Sequence, residues 1–511
     1  MSYPTSIFNN ISSTFLGFGT SVRIINGNSD TSVSSKIVSL GLKYVRINIT
    51  IADPGIGFLG SSDSATDSLF IAESVSNPYS AIANDINALN IKIILNLTCP
   101  SSWLTSGSLQ GTSNITSYSR LLVSCWKYFS STLSCIIYGI EAFNNPELLS
   151  SISPLNYVFL CNTIHSIGTS RSISIKILGE NLSQVSSNNV ILNPQDSYTV
   201  SLFGNFNAID SFSLDTIENS ADLTIINGGD FAARSYLYSR LVSDISQWNS
   251  ISFGRQKVST RFATRATTFP NSTIGTSNDT VYAIRVAENL CNLLKTGFNS
   301  VNYGQLTTDG LGDTDTLYNI SNSTRPTFDL IQLFNSVIPI NGQLFNSEEL
   351  NPNDETIKCL IMNDNHMSFS CMLCRPVTDS FSGRLALRIC DPIWSQGYSF
   401  TNLQFTAFPV SVDTSGIIVA NYMYEGAGRF ELQNVPTGCI IFFNCSLIIA
   451  PPVIPINPIP NYALETIIQV PVKTNYTTVS QPGSLYFNST TLNTMVYDSV
   501  LGWIATSNLP P

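Results

Sequence analysis

From about residue 15 to 335, short runs of apolar and β-branched residues alternate with longer stretches whose apolar positions recur three and four apart. The runs at 16–25, 44–49, 91–97, 136–143, 173–178, 208–214, 256–262 and 298–306 read as strands. Between them, 79–89, 117–129, 154–167, 231–250 and 282–295 carry the period of helices that bury one face. Strands separated by helical crossovers build parallel sheets, because a parallel pair cannot be joined by a tight turn. Eight such strands in order predict an α/β chain that begins as a (β/α)8 TIM barrel.

Beyond about residue 355 the helical period gives way to alternation. The runs 357–362, 367–371, 385–389, 430–432 and 440–443 suggest an antiparallel, all-β sandwich. The segment Ala450-Pro-Pro-Val-Ile-Pro-Ile-Asn-Pro-Ile-Pro460 then removes backbone donors and favours an extended, semi-rigid path. After it, 482–503 reads as strand, turn, strand, turn, strand, too small to bury a core of its own. The expected division is a barrel at 1–335, a β-sandwich at 336–449, a Pro-rich linker at 450–461 and a short β-rich terminal assembly module at 462–511.

Composition narrows the function classes. Of 511 residues, 43 % are hydrophobic and only 11 % charged, against a usual charged share of about 25 %. Ser, Thr and Asn must therefore cover the surface, as in extracellular or particle-bound proteins that pack against neighbours. A net charge of −10 without a basic cluster in sequence speaks against nucleic acid as a partner. No stretch is long and apolar enough to span a bilayer, and residues 1–19 lack the basic start and apolar run of a signal peptide.

Eleven cysteines, an odd number without repeated spacing, suit buried free thiols made in a reducing compartment. Cys371 and Cys374 have redox or zinc spacing, but their all-β context favours core thiols. His165 and His366 lack metal-site neighbours in sequence and read as ordinary helix or strand residues. Asp309, Asp313 and Asp315 fit a solvated loop better than a calcium site. No metal and no cofactor is called for.

Four motifs carry a family likeness: Gly41-Leu-Lys-Tyr-Val-Arg46 at the second strand, Cys99-Pro-Ser-Ser-Trp103 after the third, Asn144-Asn145-Pro146-Glu147 after the fourth, and Tyr303-Gly-Gln-Leu306 at the eighth. In this order, over roughly 14–450, the chain resembles clan A glycoside hydrolases, most closely the glucosylceramidase-like family 30 and the related family 39. The resemblance implies an Asn-Glu-Pro acid/base after the fourth strand and a Thr-Glu nucleophile at the seventh; here those positions hold Asn145 and Arg261. Retaining hydrolysis needs two carboxyl groups about 5 Å apart. An amide has no proton to shuttle at neutral pH, and a fixed guanidinium would repel an oxocarbenium-like transition state.

The resemblance also matches Arg46 to an arginine that orients the nucleophile, leaving it here to pack or to pair with another carboxylate. The sixth-strand segment Asp210-Ser-Phe-Ser-Leu-Asp-Thr216 departs from the family pattern, and Gly304 stands where a tryptophan would floor the sugar subsite. The chain thus reads as a pseudo-glycoside hydrolase whose candidate glycan groove comprises Arg46, Trp103, Asn144, Asn145, Glu180, Asp215, Arg261 and Gln305. An alternative stays open: Glu141, Glu147, Glu180 and Asp215 fall near the ends of strands, so relocated acids could sustain an active hydrolase.

The tail, Gly483 to Trp503, resembles a short β motif near the ends of viral fibre and other virion proteins. Tyr486, Phe487, Met495, Val496 and Trp503 would then be buried against another copy or another protein. Together these features lead us to expect a non-enzymatic spike, fibre or minor capsid component on a large virion, assembled in the host cytoplasm. Its partners would be other virion or capsid proteins, a second copy of itself and a host-surface glycan. A protein exported to the cell exterior is the alternative location.

Overall fold

The chain starts in a strand, β1 (Thr5–Phe15), that belongs to the second of its sheets. Eight strands then follow as a closed parallel barrel: β2 (Gly17–Ile24), β3 (Tyr44–Ile49), β4 (Lys92–Leu97), β5 (Ile137–Glu141), β6 (Ile177–Ser183), β7 (Ser211–Ile217), β8 (Lys257–Ala263) and β9 (Ser300–Gln305). Each pairs with the next, and β9 returns to β2 through Gly17–Ser300 and Gly19–Asn302. The computed structural model describes residues 5–24, 33–51, 62–76, 79–104, 108–144, 152–183, 205–217, 255–263, 277–306, 316–318, 323–349, 357–363, 365–375, 383–394, 404–408, 421–426, 429–435, 439–446, 472–473, 485–488, 493–498 and 502–505. The helix expected at 231–250, Glu147, the Asp309–Asp315 loop and the Pro-rich linker lie outside them.

The strands follow from alternation. In β3, Val45, Ile47 and Ile49 join the core beneath the helices, while Tyr44, Arg46 and Asn48 take the intervening positions, which face the barrel interior. β4 repeats this with Ile93, Leu95 and Leu97 outward and Ile94 and Asn96 inward. Around the barrel lie α1 (Val33–Leu40), α2 (Asp63–Ser76), α3 (Tyr79–Ala88), α4 (Thr112–Lys127), α5 (Pro154–Ser170), α6 (Ser277–Lys295) and α7 (Pro326–Val337). α5 shows a complete start signal: Ser153 caps it by accepting from Asn156 N at 3.3 Å, and Pro154 occupies its first turn.

The second sheet contains β1 with β10 (Gly342–Glu349), β11 (Ile357–Met362), β12 (Ser368–Arg375), β13 (Gly383–Ile389), β14 (Gln404–Phe408), β15 (Asn421–Gly426), β16 (Arg429–Val435) and β17 (Cys439–Ser446). Its order is β14-β17-β12-β11-β10-β1-β13-β16-β15, antiparallel except for the β1–β13 pair. The expected sandwich is thus one nine-stranded mixed sheet curled on itself. Leu360, Leu373 and Ile441 from one end share a core with Leu385, Leu387 and Leu432 from the other. The opposite face, with Cys359, Ile361, Met372, Cys374, Ile440 and Phe442, joins the core of the barrel helices.

β1 shows why a boundary drawn from sequence at 1–335 does not coincide with the sheets. Its polar run Ser-Ile-Phe-Asn-Asn-Ile-Ser-Ser-Thr is held by pairing on both sides, to β10 and β13, with Phe8 in the curled sheet's core and Phe15 in the barrel's. Barrel and curled sheet form one compact unit, Met1–Ile449, and Ala450–Pro511 forms another. In the latter, β18 (Val472–Lys473), β19 (Leu485–Asn488), β20 (Asn493–Asp498) and β21 (Gly502–Ala505) make a four-stranded sheet. Tyr486 stands opposite Met495, and Tyr497 opposite Trp503, in its antiparallel register.

Candidate functional site

Parallel strands bring the ends of different segments to one mouth, and that is where barrel chemistry is assembled. Here Asn48 of β3, Asn96 of β4 and Glu141 of β5 stand in one register row. Arg46, two residues before Asn48, reaches into the same row. Its Nε donates to Glu141 Oε1 at 2.6 Å, its Nη2 to Oε2 at 2.7 Å and its Nη1 to Asn48 Oδ1 at 2.8 Å. The Asn96 amide closes the group, 2.8 Å from Asn48 Oδ1, 2.9 Å from Arg46 Nη2 and 3.2 Å from Glu141 Oε2.

Both charges are deeply buried, at 3 % and 0 % side-chain exposure. A carboxylate gripped at both oxygens by one guanidinium is a fixed acceptor with its charge compensated. That arrangement suits a structural pair and leaves Glu141 poorly placed to attack a sugar or to protonate a leaving group. Behind it, burial above all, helped by the charges of Cys99, Cys125 and Glu141, pushes the Tyr118 phenol well up, while its hydroxyl donates to Leu97 O at 3.3 Å.

The structure separates the candidate residues. Arg46 is in the row just described, and Asn144, partly exposed, follows β5 at the same mouth. Trp103 is not a groove residue: it is 1 % exposed and meets Tyr118 edge-on at 6.1 Å within the helix core. The apolar ring is worth more against Tyr118 and its neighbours than at a wet surface. Asn145 lies outside the described residues. For Glu180, Asp215, Arg261 and Gln305 the backbone is described: Glu180 stands opposite Ser213, Asp215 opposite Arg261 and Gln305 opposite Ser21. Gly304 is buried in β9.

The mouth also holds residues not singled out from sequence. Asn48 and Asn96 were signalled only as polar breaks at inward positions of otherwise apolar strands. Two histidines have acidic partners distant in sequence: His366 Nδ1 lies 2.6 Å from Asp391 Oδ2, and His165 Nε2 lies 3.4 Å from Asp210 Oδ2. His366 occupies a turn at φ 59°, not a strand. Cys371 and Cys374 are buried core thiols, Cys374 Sγ donating to Ile284 O at 3.3 Å. Among the described residues no group of His, Cys, Asp and Glu could hold a metal ion, and no helix is long and apolar enough to cross a membrane.

A closed parallel barrel joined to a curled mixed β-sheet has clear counterparts among solved structures. In fold, the chain is similar to family 30 glycoside hydrolases. An endoxylanase of that family from Clostridium papyrosolvens C71 matches 87 % of this chain and 100 % of its own, at a TM-score of 0.58 and 14 % identity. The subfamily 8 xylanase Xyn30A from Clostridium acetobutylicum matches 86 % and 99 %, with TM-score 0.57 and 14 % identity. A family 51 α-L-arabinofuranosidase from Bifidobacterium longum matches 87 % and 100 %, at 0.52 and 10 % identity. No family model matches the sequence, and no curated protein matches it. At such identities the likeness establishes the fold.

Proposed function

We propose that this chain is a glycoside-hydrolase-fold protein without hydrolase activity, serving as a spike, fibre or minor capsid component on the surface of a large virus particle. Glycan binding in the former catalytic groove would be its contact with a host surface. One observation carries the loss of catalysis: the matched acid/base and nucleophile positions hold Asn145 and Arg261, and the nearby carboxylate of Glu141 is engaged by Arg46 at both oxygens. On this reading neither proton transfer nor nucleophilic attack has its carboxyl group at the matched position.

The virion assignment is supported by the low charge, by the tail's resemblance to virion β motifs and by the four strands that the tail contributes. A second reading, an active hydrolase with relocated acids, is favoured by Glu180 and Asp215 lying on neighbouring strands β6 and β7. One experiment separates them. The purified chain is incubated with a broad panel of aryl glycosides and oligosaccharides and, in parallel, probed on a glycan array. We expect binding without turnover; turnover abolished by Glu180→Gln or Asp215→Asn would overturn the proposal. Mass spectrometry and immunogold microscopy of particles from the source test the location, and absence from their exterior would reject it.

A further inference from the structure

The opposite mouth of the barrel gathers positive charge in a chain with little of it. Because all eight strands run the same way, the residues that open them share one end. Lys43 precedes β3, Lys92 opens β4, Lys176 precedes β6, and Arg255 and Lys257 flank the start of β8. Five of the chain's 24 Lys and Arg residues thus fall on four strand starts. The sequence shows no basic cluster, since apart from the neighbours Arg255 and Lys257 these residues stand dozens of positions from one another.

Two of these cations frame an aromatic pair. Lys176 Nζ sits 3.9 Å from the centroid of Tyr138, Lys92 Nζ 5.9 Å from that of Tyr44, and the two rings meet edge-on at 4.9 Å. Lys176 donates to Gln256 Oε1 at 2.9 Å, and the same oxygen accepts from Tyr138 Oη at 2.7 Å. That acceptor is neutral. The acid facing this group, Asp210, is already engaged: its Oδ2 accepts from Ile177 N at 2.7 Å and lies 3.4 Å from His165 Nε2. Among the described residues no carboxylate forms an ion pair with Lys43, Lys92, Lys176 or Lys257.

Two ammonium groups that flank one aromatic pair, one of them half-buried and neither in an ion pair among the described residues, are under-compensated. Burial is the chief reason that the Lys176 amine is pushed down to about 8; Asp210 opposes the shift and Lys92 adds to it. Lys92 remains exposed, so the mouth is open to solvent on its side. A group with several acceptor oxygens and a negative charge would meet the remaining N–H donors of both lysines.

We propose that Lys92 and Lys176, backed by Tyr44 and Tyr138, form a binding site for a tetrahedral oxyanion, a sulfate or phosphate group, at the N-terminal mouth of the barrel. The group can come from a free ion or from a sulfate ester on an acidic glycan. This site is distinct from the groove at the other mouth and does not depend on whether that groove binds sugar.

The test uses the full chain with lysines labelled by reductive 13C-dimethylation, and Lys176→Arg to assign the Lys176 signal. Its titration is followed in chloride, then at equal ionic strength in millimolar sulfate, phosphate or a sulfated oligosaccharide. A bound anion favours the charged amine, so the Lys176 midpoint is expected to rise by about one unit or more. Lys92→Gln, at an exposed position, should raise the midpoint in chloride and remove the response to anions. A shift with the free ions assigns the site to them, and a shift with the oligosaccharide alone assigns it to the ester. A midpoint unmoved by all three anions, or an equal response in Lys92→Gln, would overturn the proposal.

Discussion

Arg46 and Glu141 meet across two strands, 95 residues apart in sequence, inside a barrel that excludes water from both. Their attraction offsets a large desolvation cost, so the intact pair adds little net stability, whereas losing one member costs far more than losing both. Arg46→Ala alone or Glu141→Ala alone should each cost about 3–5 kcal/mol, because the surviving charge stays buried without a partner. The double substitution Arg46→Met with Glu141→Leu should recover most of that. Urea unfolding of the three variants checks this, and equal losses in all three would show that packing, not charge, sets the effect. At this scale the sequence left Arg46 either to pack or to pair with a carboxylate, and the structure shows the pair. The sequence could not name Glu141 over Glu180 or Asp215, because strand register selects the partner.

At the scale of the element, capping and alternation explain most of what forms. α5 begins at a serine followed by proline, and Ser153→Ala should cost about 1 kcal/mol through loss of the bond to Asn156 N. Thermal denaturation measures it, and the preceding chain should keep the same path because Pro154 still fixes the first turn. Strands with clean alternation, β3 and β4, lay close to where their residues placed them. β1 was invisible to the same reasoning. Its Ser and Asn positions carry no strand signature, and it is a strand because β10 pairs along most of it and β13 pairs with Thr5–Phe8 on the other edge.

For the whole molecule, the barrel helices and one face of the curled sheet share a core that includes Phe334, Cys291, Ile361, Met372 and Phe442. Barrel and sheet should therefore unfold together. A chain ending at Ile449 is expected to fold and to lose near- and far-ultraviolet dichroism in one coincident transition. Deleting residues 1–15 should destroy that cooperativity, since it removes the strand that joins β10 to β13 and, with it, the core side chains of Phe8 and Phe15. Retention of the single transition after this deletion would mean that the sheet holds its two halves together without β1.

The sequence by itself determined the order of strands, the closed α/β barrel and the change to an all-β region. Those features are local or periodic: they depend on which residue stands where along one segment. Tertiary structure alone decided that Trp103 lies in the core, that Arg46 takes Glu141, that the first strand joins the curled sheet, and that five scattered cations fall at one end of the barrel. Each of these depends on contacts between residues far apart in the chain. Closure of the barrel and the register of its strands choose those contacts, and burial makes them count, because a charge or ring removed from water must be satisfied by whatever the fold brings beside it.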